Sequence, residues 1–248
     1  MSGAQASGPK TAMVLAAGLG TRMRPLTDDR PKALIEVGGK LLIDHVLDRL
    51  AAVGVEKAVV NVHAFADRLE AHLAERTRPA IVISDERAQV LETGGGLKKA
   101  IPLLGEDPVW VGNIDTVELG GGRTCLEAVA RTWAKVDADV DVCLLLAPTQ
   151  SALGFHDSGD VFVDASGCVR FKEPGEVAPY LYVGVHISRL GIVTGGPDGP
   201  FSLTPIWRAL AQRGRVFGVV SEGLWMHVSD PAGREAVQAR LKAEATLS

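Results

Sequence analysis

The chain has 248 residues, of which 46% are hydrophobic and 23% charged, with a net charge of −4. That usage is ordinary for a globular domain and excludes a disordered tail, a collagen-like fibre and a disulfide-dense miniprotein. A chain this long buries roughly 70–75% of its unfolded surface, so it needs no staple, and its acidic balance argues against a broad basic face for nucleic acid or anionic lipid.

Residues 1–10 (MSGAQASGPK) form a small-residue tail with no cationic flank before an apolar run, so no signal peptide is expected. The apolar stretch at 12–17 is far shorter than the ~20 residues that span a bilayer, and a cytoplasmic protein is expected. From residue 11 onward, β-rich runs alternate with helical patterns, the rhythm of an α/β domain with a mainly parallel sheet. Residues 11–17 (TAMVLAA) predict a buried strand, followed by a Gly- and Pro-punctuated loop at 18–32. A helical stripe at Leu42, Val46, Leu47 and Leu50 predicts a helix over 42–53. Strands are expected at 57–62 and 80–84, with a helix over 65–75 between them. A helix over 97–101, capped by Thr93 or a following glycine, precedes a strand at 109–112.

The second part predicts a helix at 124–135, a strand at 140–147, a hairpin of 160–163 with 168–171, a strand at 180–187 and helices at 205–213 and 231–244. No linker divides the chain. We read one domain, over 11–248, with a first part at about 11–150 and a mixed second part at about 151–248. Cys125, Cys143 and Cys168 have neither disulfide-framework nor zinc spacing and read as buried small hydrophobes in a reducing compartment. His45, His63, His72, His156 and His186 show no ligand spacing and read as structural.

Ligands of open α/β sheets bind beyond the carboxyl ends of the strands. Three loops leaving predicted strands are also the least ordinary segments: 18–32, 85–96 and 112–115. The first reads GLGTRMRPLTDDRPK. Gly18 and Gly20 permit close backbone approach, and Arg22, Arg24, Arg30 and Lys32 supply cations in an acidic protein, a combination suited to a polyphosphate. A dinucleotide loop would need a third glycine where Met23 stands, and Pro25 stops an immediate helix; no GK[ST] of a P-loop occurs. A surface turn with solvated arginines is the plain alternative.

This loop resembles the signature of the sugar-1-phosphate nucleotidyltransferases, G-x-G-T-R-[LM]-x-P-x5-P-K after a hydrophobic strand. The LETGGGLKKA segment at 91–100 and Asp115 at a strand end extend the resemblance over most of the chain. The ETGGG loop and the short length are most similar to the single-domain uridylyltransferases of N-acetylmuramate α-1-phosphate. The resemblance implies a Rossmann-like, glycosyltransferase-A-like α/β fold with a mixed, mainly parallel central sheet. It also implies Mg²⁺-dependent transfer of a uridylyl group from UTP to a sugar 1-phosphate, in peptidoglycan recycling. A mannose- or glucose-1-phosphate nucleotidyltransferase using another nucleotide, or a nucleotide-sugar-binding regulator without catalysis, stands as the alternative. The implied partners are UTP and a sugar 1-phosphate, with no nucleic acid or membrane, and the chain acts as a monomer or small homo-oligomer.

By the same resemblance, Ala16, Gly18 and Gly20 contact the nucleotide through their backbone, Thr21 and Arg22 meet the triphosphate, and Lys32 lies between the reacting phosphates. Glu86 or Gln89 reaches base or ribose, and Gly94, Gly95 and Gly96 lie against the base; Glu92 also reads as a helix-start carboxylate. Asp115 is the implied Mg²⁺ ligand, though the family's Gly-Asp is Ile114–Asp115 here. Where the family reads W-x-D-V-G-T, this chain has Trp225–Met226–His227–Val228–Ser229–Asp230. The aspartate position therefore holds His227, a poor Mg²⁺ ligand; Asp230 substitutes as metal ligand or water fills the site, and Asp230 also reads as the cap of the helix that Pro231 opens, two roles that do not exclude each other. On the sugar side the resemblance implies Asn113, Gly154, Lys172, Tyr182 and Gly184, although Lys172 and Glu173 are transposed relative to the family's E-K-P.

Overall fold

The computed structural model describes residues 8–119, 122–136, 138–155 and 158–247; His156 lies outside them. The apolar strand β1 (Thr11–Leu15) is followed by a loop with two 3-10 turns and by the small hairpin of β2 (Glu36–Val37) and β3 (Lys40–Leu41). Then α1 (Leu42–Ala52), β4 (Lys57–Val62), α2 (Ala66–Ala74) and β5 (Ala80–Asp85) alternate as the periodicity predicts. They lead into α3 (Glu92–Leu104), β6 (Val109–Asn113), β7 (Thr116–Leu119), α4 (Gly122–Trp133) and β8 (Val142–Pro148). The remainder comprises β9 (Ala152–Leu153), β10 (Val161–Val163), β11 (Val169–Phe171), β12 (Tyr180–Ser188), α5 (Gly191–Thr194), α6 (Leu203–Ala211), β13 (Val216–Val220), β14 (Leu224–His227) and α7 (Pro231–Leu247).

The central sheet is mixed. Strands β5, β4, β1 and β6 pair in parallel, β12 lies antiparallel to both β6 and β8, and β13 runs parallel to β8. Because β12 comes from the second half of the chain and pairs with β6 and β8, one sheet runs through both halves. Alternation along β1 splits the core into two layers. Ala12 and Val14 face α1, α2 and α4 through Ile43, Leu47, Leu50, Leu69 and Leu126, whereas Met13 faces α3 and α6 through Leu97, Leu104, Leu203 and Trp207. A third, smaller cluster of Met23, Ile35, Val37, Leu42, Met226, Val228 and Val237 packs the first loop against α7.

The structure corrects the sequence reading at one helix boundary. α3 begins at Glu92, so the three glycines expected before the helix lie inside it. Glycine is a poor helix former, but here packing overrides propensity. A methyl group at Gly94 would collide with the Phe201 ring, and one at Gly95 with the Gly199 carbonyl. The strands β2, β3, β7, β9, β13 and β14 and the short helix α5 also had no counterpart in the sequence reading.

Candidate active site

A cavity of about 520 Å³ opens beyond the carboxyl ends of β1, β4, β5 and β6. Each of these strands delivers a residue to its wall or rim: Leu15, Asn61, Glu86 just past β5, and Asn113. The first loop wraps one side through Gly18, Leu19, Gly20, Thr21, Arg22 and Lys32.

That loop is held in shape from behind. Met23 is fully buried in the third cluster and anchors the turn that presents Thr21 and Arg22 to the cavity. The Thr27 hydroxyl donates to the Gly20 carbonyl at 2.9 Å, and Gly20 has φ +61° with Lys32 and Thr27 packed against its α-carbon. A left-handed conformation with no room for a side chain requires glycine there. Of the four loop cations, only Arg22 and Lys32 border the cavity. Arg24 pairs with Asp28 and Arg30 with Asp29 at the exposed surface, so the expected fourfold cluster is in fact a pair.

At the far side of the loop, the Lys32 ammonium sits 3.1 Å from Asp115 Oδ2, with Lys32 only 8% exposed. His227 Nε2 approaches the same oxygen at 3.4 Å, and its ring stacks on Phe155 with centroids 4.9 Å apart. Burial pushes the Asp115 carboxyl up, but the His227 hydrogen bond and the Lys32 and His227 charges outweigh it and hold Asp115 well below the usual carboxylate range. Asp115 is thus an anion under ordinary conditions, its other oxygen without a side-chain partner among the described residues. Asp230 has a different place. Its Oδ1 accepts from the Gly233 amide at 2.7 Å and its Oδ2 from the Ser229 hydroxyl at 3.0 Å, which makes it the cap of α7. The Gly233 amide is the chief cause that lowers its carboxyl, with a contribution from the nearby Arg22 charge.

The wall opposite the loop is a braced network. Asn61 Oδ1 accepts from the amides of Ala16 and Ala17 at 2.6 and 3.1 Å, and its Nδ2 donates to Glu86 Oε1 at 2.8 Å. Glu86 Oε2 accepts from the Leu91 amide at 3.0 Å. Ala16 therefore has its amide committed inside the protein, and Glu86 is a buried strut with both oxygens in use. Gly94, Gly95 and Gly96 stand behind this wall rather than on the cavity, where Glu92 and Thr93 take the exposed positions. Phe201 closes the arrangement by accepting from the amides of Gly94 and Gly95.

The residues expected on the sugar side are spread more widely. Asn113 borders the cavity, and Gly184, at φ +84°, lets β12 pass against the Asn113 side chain at a β-bulge. Gly154 lies against the His227 carbonyl. Lys172 donates to the carbonyl and hydroxyl of Ser158 at 3.2 and 2.5 Å, with no carboxylate partner among the described residues. The Tyr182 hydroxyl meets His186 Nδ1 at 2.7 Å, and both rings pack edge-on against Trp207. Sequence reasoning missed Asn61, Met23 and Phe201. The signal for Asn61 was present: it is the polar residue near the end of the otherwise apolar KAVVNV strand.

Comparison with known proteins gives the family. Residues 12–143 match the MobA-like NTP transferase domain. The chain is 62% identical over 238 residues to the N-acetylmuramate alpha-1-phosphate uridylyltransferase of Caulobacter vibrioides, covering 94% of this chain and 97% of that one. It is 34% identical over 232 residues to the enzyme of the same description from Neisseria meningitidis serogroup B, covering 92% and 96%. Its fold resembles that of the inositol-1-phosphate CTP transferase from T. maritima, with a TM-score of 0.74 over 94% of this chain and 96% of that one; at 17% identity this likeness concerns fold alone. With a cavity-wrapping loop, an opposed lysine–aspartate pair and relatives matched along nearly its whole length, the chain belongs to the MobA-like NTP transferase family, among its sugar-1-phosphate nucleotidyltransferases.

Proposed function

We propose that this protein transfers a uridylyl group from UTP to N-acetylmuramic acid α-1-phosphate, releasing pyrophosphate, as a cytoplasmic step of peptidoglycan recycling. The observation that carries the reading is the Lys32–Asp115 pair, 3.1 Å apart at the cavity, with Arg22 on the loop that wraps it. The printed activity of the relatives from Caulobacter vibrioides and Neisseria meningitidis supports the choice of UTP and sugar.

In this reading the sugar-phosphate oxygen attacks the α-phosphorus of UTP, and the bond to the departing pyrophosphate breaks. Lys32 lies beside the phosphorus and neutralises its equatorial oxygens, while Arg22 and the amides around Gly18, Gly20 and Thr21 hold the β- and γ-phosphates. Asn113, Gly154, Tyr182 and Gly184 form or support the sugar side, and Lys172 takes the sugar phosphate. The chain's donor set fits a hard divalent ion: among the described residues no three acidic, histidine or cysteine side chains gather as a cage, and Asp115 offers one carboxylate. Mg²⁺ keeps several waters and completes its shell with substrate phosphates, so one carboxylate suffices; when bound there it screens the phosphate charge. Asp115 would hold it, and Asp230, which caps α7 with one hydrogen bond on each oxygen, keeps lone pairs with which it would serve as a second ligand.

The test is pyrophosphate release with Mg²⁺, using UTP, GTP, CTP, ATP and dTTP against several sugar 1-phosphates. A signal confined to UTP with N-acetylmuramic acid 1-phosphate is expected. Turnover with a different pair would overturn the substrate assignment, and UTP binding without turnover would overturn the catalytic one.

A further inference from the structure

One cation of α1 is mounted at a cost. Arg49 stands in the last turn of α1, with its Nε and Nη1 buried and without hydrogen-bond partners among the described residues. Burial pushes its guanidinium down to about 10, opposed by the nearby Glu118 charge, so it stays a cation at neutral pH. A desolvated guanidinium with idle donors is expensive, and an apolar side chain would fill the seam between α1 and β7 more cheaply.

Two contacts account for its presence. Nη2 donates to the Thr116 carbonyl at 2.9 Å, and the guanidinium lies over the Trp225 indole, 5.1 Å from the ring centroid. Trp225 is fully buried and its Nε1 donates to Ser221, so the indole is a fixed platform. Thr116 opens β7 directly after Asp115, and Trp225 stands in β14 two residues before His227. These strands pair with Thr116 opposite His227, and the Val228 amide donates to the Asp115 carbonyl at 2.8 Å. Two successive carbonyls are thus held, that of Asp115 by β14 and that of Thr116 by Arg49. Only two residues separate β6 from β7, so rotation of the Thr116 peptide would swing the Asp115 carboxylate away from Lys32.

We propose that Arg49 is a positioning residue for nucleotidyl transfer. From α1 it clamps the two strands that carry Asp115 and His227, through the Thr116 carbonyl and the Trp225 indole, and so fixes the Asp115 carboxylate at the cavity. This rests on the role given to Asp115 above.

The test is a double-mutant cycle of Arg49→Lys with Asp115→Asn. Its readouts are kcat, KM for the sugar 1-phosphate, and the dissociation constant of the Mn²⁺–UTP complex followed by electron paramagnetic resonance. Lysine keeps the charge and the apolar stem, which preserves the fold, but one ammonium cannot lie over the indole and reach the carbonyl as the planar fork does. Arg49→Lys should lower kcat and weaken Mn²⁺–UTP binding by about tenfold each, the scale seen when a group that orients a metal ligand is lost, with KM for the sugar 1-phosphate within about twofold. In the Asp115→Asn background the same substitution should change either readout by less than about twofold, because the group it places is gone. Unchanged kcat and Mn²⁺–UTP affinity in Arg49→Lys overturn the proposal. So does an equal loss in both backgrounds, which would make Arg49 a brace of the fold acting independently of Asp115. A wild-type chain that binds Mn²⁺–UTP without turnover would overturn the transfer reading instead, and the binding cycle would still decide the role of Arg49.

Discussion

The two halves of the chain use the same sheet differently. From the first half, Gly18, Gly20, Thr21, Arg22, Lys32, Glu86, Asn113 and Asp115 all border the cavity. From the second half, Gly154, Lys172, Tyr182 and Gly184 support neighbours instead: Gly184 beneath Asn113, Gly154 against the His227 carbonyl, Tyr182 on His186, and Lys172 on Ser158. Strand direction explains the contrast. Four parallel strands end on one edge and hand their last residues to a common space. The antiparallel strand β12 is flanked by β6 and β8, and its side chains go into the core on both faces. The residues that border the cavity therefore come from strand ends and the loops that follow them, and the crossing strand supplies their backing.

If that division is right, the largest effect should come from the first half. Asp115→Asn is expected to lower kcat about 10²–10³-fold while leaving the fold intact, and Lys32→Met should act on the same scale. The check is single-turnover chemistry beside circular dichroism. Wild-type turnover in either variant would show that the pair is structural and would dissolve the contrast.

The next effect concerns the backing, and it is one of stability. Burial pushes the His186 imidazole down to about 3, so the folded protein resists protonation that the unfolded chain accepts near 6.5. Stability is accordingly unaffected above that range and falls as pH drops from about 6.5 towards 3. The slope is up to about 1.4 kcal/mol per pH unit. His186→Gln should remove one proton's worth of that slope in urea titrations at successive pH values. An unchanged slope would assign the acid loss to other groups and leave β12 without this role.

Much of this was legible in the sequence for a physical reason. Periodicity marks elements whose faces differ, so α1, α2, β1, β4 and the loop between β1 and α1 were readable; Arg22, Lys32 and Asp115 were singled out by the family resemblance, and the structure places all three at the cavity. What escaped depended on contacts distant in the chain. Residues 92–96 look like a loop because they contain three glycines; only Phe201 and Gly199, about a hundred residues later, make them a helix. Asp230 reads as ligand, cap or both in the sequence, and the cap becomes visible only with the Gly233 amide at 2.7 Å. Arg24 and Arg30 look like members of a phosphate cluster because charge counting carries no direction.

A smaller effect sharpens the contrast from the second half. Lys172 has two bonds to Ser158 and no acidic partner among the described residues, so its charge stands ready for an anion. Lys172→Met should raise KM for the sugar 1-phosphate about tenfold with the KM for UTP unchanged, the scale of one lost charge-assisted bond. Equal changes in both constants would make Lys172 a brace of the 158–172 segment.

The smallest effect is expected inside the first loop, where proximity in sequence and position in space part company. Arg24 lies two residues from Arg22 yet pairs with Asp28 at 3.5 Å, with its side chain 70% exposed and outside the cavity. An exposed pair of this kind contributes between nothing and about 1 kcal/mol to stability, and its charge is largely screened at physiological salt. Arg24→Gln should change kcat/KM by less than about twofold, whereas Arg22→Gln should lower it by a factor on the order of a hundred, since Arg22 borders the cavity on the loop proposed to hold the departing pyrophosphate. Measuring both at 0.05 and 0.5 M salt separates direct contact from field effects. A large, salt-sensitive loss in Arg24→Gln would mean that the loop acts through its summed charge rather than through the two cations that face the cavity.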